Sequence, residues 1–202
     1  VNTSEDIEEF LNPKKLYNPY LLKGMKELVD RVKLAKELKD KVLIFGDYDV
    51  DGVSATSIML KALKQFGIKA DFYLPNRYVD GYGLTNKVID KIASVYAPNL
   101  IITVDCGISC YSEIEYAKNL GIEVVVTDHH EIPELIPDTI VVNAKLSGQA
   151  YPFRELCGTG VAYKFAEALL GRQEALQFLP ITAIATIVDI AVSYTHLRAH
   201  ET

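Results

Sequence analysis

Three short apolar segments of this chain end in acidic or histidine side chains. They are KVLIFGDYD at 41–49, NLIITVD at 99–105 and IEVVVTDHH at 122–130. Each is mostly apolar up to its polar end, which predicts strands buried on both faces. Strands of this kind belong to parallel sheets that are covered by helices on both sides. The pattern therefore predicts an α/β fold whose polar strand ends meet at one edge.

Segments with helical spacing of apolar residues separate the strands. We expect about five parallel strands sandwiched between helices, because short helical connections join successive strands. The predicted helices lie at 19–40, 53–66, 85–96, 109–119, 159–170 and 173–191, and the predicted strands at 41–49, 69–74, 99–104, 122–127 and 139–143. Gly171 is expected to end the helix before it.

Composition fits an ordinary folded protein. Apolar residues make up 49% of the 202 residues, charged residues 24%, and the net charge is -6. This balance disfavours disorder and a stand-alone nucleic-acid binder, but it does not exclude DNA as a substrate. No apolar run is long enough to span a membrane, and the N-terminus is not signal-like. The three cysteines lack a CxxC spacing, which favours a reducing, cytoplasmic location.

The acids and histidines at the strand ends are the candidate functional residues. Carboxyl ends of parallel strands share one edge of a sheet, where ligands bind in α/β folds. The candidates are Asp47, Asp49, Asp51, Asp105, Asp128, His129 and His130. Gly52 is expected to permit a sharp turn into the following helix. Alternatively, Asp51 caps the helix at 53–66 and Asp105 the helix after Gly107.

Convergence of five carboxylates and two imidazoles favours a metal centre over isolated helix caps. Uncompensated burial of so much negative charge would be prohibitive. The donor types suit Mn²⁺ or Mg²⁺, and they suffice for two divalent cations that share a carboxylate. Such centres activate water for in-line attack on phosphorus. The chemistry therefore predicts hydrolysis of phosphoesters or phosphoanhydrides.

Several motifs resemble those of the DHH phosphoesterase superfamily. They are GDYDVDG at 46–52, VDCG at 104–107, DHH at 128–130 and IATIVDIA at 184–191. Two further segments resemble the RecJ-type single-stranded-DNA-specific exonucleases within that superfamily, PNRYVDGYGL at 75–84 and CGTGVAYKFAEAL at 157–169. Some members of the wider superfamily carry a histidine shortly before the first aspartates, where this chain has Phe45, and this difference favours the RecJ-type site over the pyrophosphatase type.

The resemblance implies a role for each candidate. Asp49 and Asp51 would be metal ligands, Asp105 would bridge two cations, and His129 and Asp189 would complete the second site. Asp47 would either bind a cation directly or hold another ligand in place.

The same resemblance places His130 near the scissile phosphate and gives Asp128 the task of orienting the histidine loop. Arg77 can bind substrate phosphate, or it is a surface residue or a partner of Asp80. Tyr78 and Tyr82 can stack on bases or be buried.

The implied activity is metal-dependent hydrolysis of single-stranded DNA from the 5′ end, in DNA repair and recombination. Single-stranded DNA and other repair proteins are the implied partners, with no membrane involvement. The domain interpretation is a helical lead-in at 1–40, a DHH catalytic domain at 41–191 and a non-native or truncated tail at 192–202. Because the family has further domains, we expect this chain to bind Mn²⁺ but to degrade DNA poorly.

Two other functions fit the same motifs. One is a DHH hydrolase of small phosphates, such as pyrophosphate or short oligonucleotides. The other is an inert DHH scaffold, although such relatives lose ligands that are all present here.

The segment Gly158–Gly160 can bind an anion through its amides or simply pack closely. His196 and His200 have a zinc-like spacing without a glutamate between them, and Cys106 and Cys110 are expected to serve in packing.

Overall fold

The computed structural model describes residues 16–81 and 83–191. Its helices are α1 (Met25–Leu38), α2 (Val50–Phe66), α3 (Asn86–Tyr96), α4 (Tyr111–Asn119), α5 (Gly158–Leu170), α6 (Arg172–Ala175) and α7 (Leu179–Val188). Its strands are β1 (Val42–Gly46), β2 (Ala70–Tyr73), β3 (Leu100–Val104), β4 (Glu123–Thr127) and β5 (Val141–Val142). They form one parallel sheet in the order β2-β1-β3-β4-β5, which confirms the predicted fold class.

Helices cover both faces of the sheet. Alternate residues of a strand face opposite sides, and on both sides they are apolar. In β1, Val42 and Ile44 join a core with apolar side chains of α1, α2 and α5. Leu43 and Phe45 join a second core with side chains of α3 and α4. All four side chains are buried, which explains why the sequence of this strand is continuously apolar.

The register of the three central strands aligns their carboxyl ends. Gly46 pairs with Val104, and Val104 pairs with Thr127. The next residues along the three strands, Asp47, Asp105 and Asp128, therefore leave the sheet in one row. This row lies where the strand order changes direction, between β1 and β3, which is the usual ligand position in open α/β sheets.

Two predicted helices are interrupted in the structure. The helix expected at 19–40 begins with a short 3₁₀ turn, and α1 itself starts only after Gly24, whose φ is +82°. The helix expected at 173–191 is divided into α6, a 3₁₀ turn and α7. Pro180 explains this division, because proline is accommodated in the first turn of a helix but not in its interior.

Gly52 is required for close packing and not for an unusual turn. Its φ is not positive. It lies inside the first turn of α2, which starts earlier than predicted. A Cβ at Gly52 would lie 2.6 Å from the carbonyl oxygen of Asp47 and 2.7 Å from its backbone nitrogen. Backbone atoms cannot rotate away, so any side chain here would push β1 and α2 apart.

We expect Gly52→Ala to destabilise the protein by ~1–3 kcal/mol, the usual cost of overpacking a rigid site. The measurement is urea unfolding in the absence of metal. Val53→Ala is the matched control, because Val53 is the next residue of the same helix and is exposed. Equal stability of the two variants would contradict the packing role of Gly52.

Some predictions fall outside the described residues: the start of the lead-in at 1–15, Tyr82, and the tail at 192–202 with His196 and His200. The domain boundaries stay predictions. Within 16–81 and 83–191, no helix has the length and apolar character needed to cross a membrane.

Candidate metal centre

The structure brings the predicted acids and histidines together at the carboxyl edge of the sheet. Three of them lie between the end of β1 and the first turn of α2, one follows β3, three follow β4, and one follows α7. In chain order they are Asp47, Asp49, Asp51, Asp105, Asp128, His129, His130 and Asp189. Seven of the eight form candidate ligand groups, and only Asp128 does not.

Three overlapping groups can each hold a cation. Within each group, one ligand atom per residue lies within 4.8 Å of the others. The groups are Asp47, Asp49 and Asp105; Asp51, His129 and Asp189; and Asp105, His129 and His130. Asp105 and His129 each belong to two groups, so each can connect neighbouring cation positions.

His129 lies at the centre of the cluster. Its Nε2 is 3.1 Å from Oδ1 of Asp105 and 3.8 Å from Oδ2 of Asp51. Its Nδ1 is 3.8 Å from Oδ2 of Asp189. The imidazole thus contacts carboxylates from β3, α2 and α7.

Asp105 carries a burial cost that the described protein atoms do not offset. Its side chain is 2% exposed, and Oδ1 accepts no hydrogen bond from a described residue. Burial, together with the nearby carboxylates of Asp51 and Asp49, raises the pKa of Asp105 to about 10. Its backbone has a φ of +61°, a conformation that is uncommon for residues other than glycine, although asparagine and aspartate adopt it more often than most. A bound cation would compensate both the charge and the unpaired oxygen.

Helix capping differs from the alternatives drawn from the sequence. Asp49, and not Asp51, caps α2, since its carboxylate accepts a hydrogen bond from the Gly52 amide at 2.8 Å. Asp105 caps no helix, because α4 begins at Tyr111 with Cys110 in the N-cap position and has no side-chain cap. The carboxylate of Asp51 instead contacts the first turn of α5.

The amides of Gly158 and Thr159 therefore bind an anion from within the chain. They donate to Asp51 Oδ2 and Oδ1 at 2.6 and 2.9 Å. The sequence shows the glycines but gives no sign of their contact with Asp51, because 107 residues separate the partners.

Asp128 holds the histidine loop by several hydrogen bonds. Its Oδ1 accepts from the amide of His129 at 2.7 Å and contacts His130 Nδ1 at 2.7 Å, and its Oδ2 accepts from the Ile108 amide at 2.9 Å. Burial would raise the pKa of Asp128, but these hydrogen bonds hold it below its usual value. The bond to Asp128 in turn raises the pKa of His130, which favours the imidazolium form.

The two remaining acids flank the cluster. Asp47 is buried, and its Oδ1 accepts a hydrogen bond from the Tyr48 amide at 2.7 Å. Asp189 is 22% exposed at the end of α7. Burial and the neighbouring carboxylates raise the pKa of both carboxyl groups.

The donor set fits hard to borderline divalent cations. Carboxylate oxygens with a minority of imidazole nitrogens suit Mn²⁺ and Mg²⁺. The buried Oδ1 of Asp105 supports this fit, because it faces other ligand atoms and accepts no hydrogen bond from the described residues. Thiolates contribute nothing, since the candidate groups contain no cysteine.

Comparison with protein families shows which family the chain belongs to. The model of the DHH family, N-terminal domain, matches residues 41–192. The chain belongs to the DHH family. Within this DHH domain, the strand ends and α7 supply the aspartates and histidines described above.

The DHH domain is similar to RecJ proteins in sequence and structure. It is 44% identical over 192 residues to the single-stranded-DNA-specific exonuclease RecJ of Bacillus subtilis, across 94% of this chain and 24% of that protein. An exonuclease RecJ bound to manganese superposes with a TM-score of 0.76 at 32% identity, across 84% of this chain and 44% of the other. RecJ of Thermus thermophilus in complex with Mn²⁺ gives 0.72 at 29% identity, across 84% and 24%. The chain thus spans about a quarter of the length of the Bacillus relative.

Arg77 of the DHH domain lies on an exposed loop beside the cluster. Its guanidinium is 5.8 Å from the ring centre of Tyr48, which stands between Asp47 and Asp49. It does not pair with Asp80, and it forms no ion pair with any described residue. Tyr78, on the same loop, is 96% exposed. The alternative of an Arg77–Asp80 pair is therefore wrong.

Asp80 instead anchors the loop to the sheet. Its Oδ2 accepts hydrogen bonds from the Tyr73 hydroxyl at 2.8 Å and the Asn76 amide at 2.9 Å, and Lys91 lies 3.3 Å from Oδ1. The bonds from Asn76 and Tyr73 lower the pKa of Asp80. This anchor had no recognisable signal in the sequence.

We expect Asp80→Asn to destabilise the protein by ~1–3 kcal/mol at neutral pH, the usual cost of weakening charged hydrogen bonds. Because the folded pKa lies below the unfolded value of about 3.9, the contribution of Asp80 is complete above that pH. It disappears as the pH falls through the folded pKa, where Asp80 becomes protonated. Urea unfolding across this range tests the prediction, with exposed Asp71→Asn as control. A pH-independent difference would contradict it.

The three cysteines are unpaired and take no part in the candidate ligand groups. Burial raises the pKa of Cys110 to about 11 and that of Cys157 to about 12, so neither is a thiolate at neutral pH. Cys106 is fully packed within the second core. The positions of Cys106 within this core and of Cys110 against it support the packing role predicted for these two residues.

Proposed function

We propose that this chain carries the metal-dependent catalytic centre of an enzyme that hydrolyses single-stranded DNA from its 5′ end. The observation that carries the proposal is the sharing of Asp105 and His129 among the candidate cation groups at the carboxyl edge of the sheet. Similarity to RecJ proteins from several bacteria supports the substrate class. Single-stranded DNA is accordingly the proposed partner.

The proposed ligands are Asp47, Asp49, Asp51, Asp105, His129 and Asp189. Two divalent cations, Mn²⁺ or Mg²⁺, would supply a water of lowered pKa and neutralise charge on the phosphate when bound. Asp105 is suited to be a ligand shared by two cations, because it belongs to two of the candidate groups. His129 connects Asp105 to the group formed with Asp51 and Asp189.

His130 and Arg77 are the proposed substrate contacts. Asp128 engages Nδ1 of His130, so Nε2 remains to donate a hydrogen bond to a phosphate oxygen. The hydrogen bond to Asp128 raises the pKa of His130, which favours the imidazolium form that would stabilise developing negative charge. His130 also belongs to a candidate cation group. Arg77 can bind a second phosphate through its planar guanidinium.

Hydrolysis of three matched substrates tests the proposal. The substrates are a short 5′-phosphorylated single strand, the same strand in a duplex, and pyrophosphate, each with Mn²⁺ or with EDTA. We expect slow release of nucleotides from the 5′ end of the single strand, and no release with EDTA. Faster hydrolysis of pyrophosphate would instead favour a DHH hydrolase of small phosphates. Cleavage that resists EDTA would contradict a metal-dependent mechanism.

A further inference from the structure

The first turn of α5 contacts two of the proposed ligands at once. Gly158 and Thr159 are buried at the start of this helix, opposite the first turn of α2. Their amides donate to the two carboxylate oxygens of Asp51, one to each. Each oxygen keeps a further lone pair, so these bonds orient Asp51 without preventing it from binding a cation. The positive end of the α5 dipole also favours a negative charge here.

The hydroxyl of Thr159 fixes the backbone of Asp51. Thr159 Oγ1 donates to the main-chain oxygen of Asp51 at 2.9 Å, and its side chain is fully buried. Three hydrogen bonds from one dipeptide therefore restrain both the carboxylate and the backbone of Asp51.

Gly158 also packs directly against Asp105. A Cβ at Gly158 would lie 2.4 Å from Oδ1 of Asp105 and 2.6 Å from its Cβ. The same Oδ1 is the atom that lies 3.1 Å from His129 Nε2. A side chain at Gly158 would therefore displace the carboxylate that connects the candidate cation groups.

We infer that Gly158 and Thr159 are positioning residues that set the separation between Asp51 and Asp105, and hence between neighbouring cation positions. The inference rests on the proposed metal centre. Neither residue belongs to a candidate ligand group. Their effect acts through the two carboxylates, one held by hydrogen bonds and the other by steric contact.

Substitution of Thr159 tests the hydrogen-bonded part. Thr159→Val removes the hydroxyl and keeps the shape, while Thr159→Ser keeps the hydroxyl. We expect the valine variant to bind Mn²⁺ ~10-fold more weakly by calorimetric titration, as for other groups that orient metal ligands. The serine variant should bind within a few-fold of the parent. Equal affinities of parent and valine variant would overturn this role of Thr159.

Substitution of Gly158 tests the steric part, with Gly160→Ala as the matched control. At Gly160 an added Cβ meets the flexible end of Leu156 at 3.1 Å, not a ligand. We expect Gly158→Ala to weaken Mn²⁺ binding ~10–100-fold and Gly160→Ala to leave it nearly unchanged. Unchanged binding by a folded Gly158→Ala variant would overturn the steric role.

A double-mutant cycle covers the case in which Gly158→Ala folds poorly. Asp105→Gly removes the contacted side chain, and glycine suits the positive φ of Asp105. We expect Gly158→Ala to lower the melting temperature of the metal-free parent more than that of the Asp105→Gly variant. Equal shifts would overturn the inferred contact. A folded parent that binds no Mn²⁺ would overturn the proposed function itself, and the inference with it.

Discussion

Asp105→Asn is expected to stabilise the metal-free protein and to abolish its stabilisation by Mn²⁺. The fold must either bury the charge of Asp105 among other carboxylates or take up a proton on it, and both cost free energy. Asparagine avoids this cost, and it tolerates the positive φ of this position. A gain of ~1–2 kcal/mol corresponds to a melting temperature ~2–8 °C higher for a chain of this length.

Addition of Mn²⁺ should reverse the order of the two proteins. A cation at about 100 times its dissociation constant stabilises the parent by ~2.7 kcal/mol. The variant gains little, because Asp105 belongs to two of the candidate groups. Thermal unfolding with EDTA and with Mn²⁺ measures both effects, and Asp71→Asn controls for the loss of an exposed carboxylate. A variant that is less stable than the parent in EDTA would contradict the electrostatic explanation.

The second large expected effect distinguishes the roles of the adjacent residues His129 and His130. His129→Ala removes the imidazole that contacts Asp51, Asp105 and Asp189, so we expect loss of Mn²⁺ binding and of hydrolysis. His130→Ala should retain Mn²⁺ binding, while hydrolysis of the single strand falls ~10²–10³-fold. The two variants lose the same side chain at consecutive positions, so each is the control for the other.

Calorimetric titration and single-turnover hydrolysis distinguish the roles. If His130→Ala loses Mn²⁺ binding to the same extent as His129→Ala, His130 is a ligand and its proposed contact with phosphate is wrong. If His129→Ala keeps full Mn²⁺ affinity, the central ligand has been misidentified.

Much of the fold followed from strand composition. β1, β3 and β4 are apolar on both faces because helices cover both sides, so their existence and parallel pairing could be predicted. The break between α6 and α7 could also have been predicted, because Pro180 lies within the expected helix. The earlier start of α2 depends on Asp49 and not Asp51 acting as the cap, and either aspartate fits the sequence preference.

The candidate site was predictable only in part. The acids converge because parallel strands end at one edge, and this much the motifs and their spacing indicate. The contact between Asp51 and the α5 turn joins residues far apart in the chain, and no local pattern encodes it. The steric role of Gly158 is equally hidden, since glycine occurs at the starts of many helices that contact no ligand.

The order of the candidate ligands along the chain has a consequence for synthesis on the ribosome. β1 to β5 precede α7, so the sheet and seven of its polar side chains are translated before Asp189. At ~5–20 residues per second, the roughly 60 residues after His129 take ~3–12 s to synthesise. In a nascent chain the candidate centre therefore lacks Asp189 for several seconds, and any cation binding that needs Asp189 would begin only when the last helix has emerged and docked.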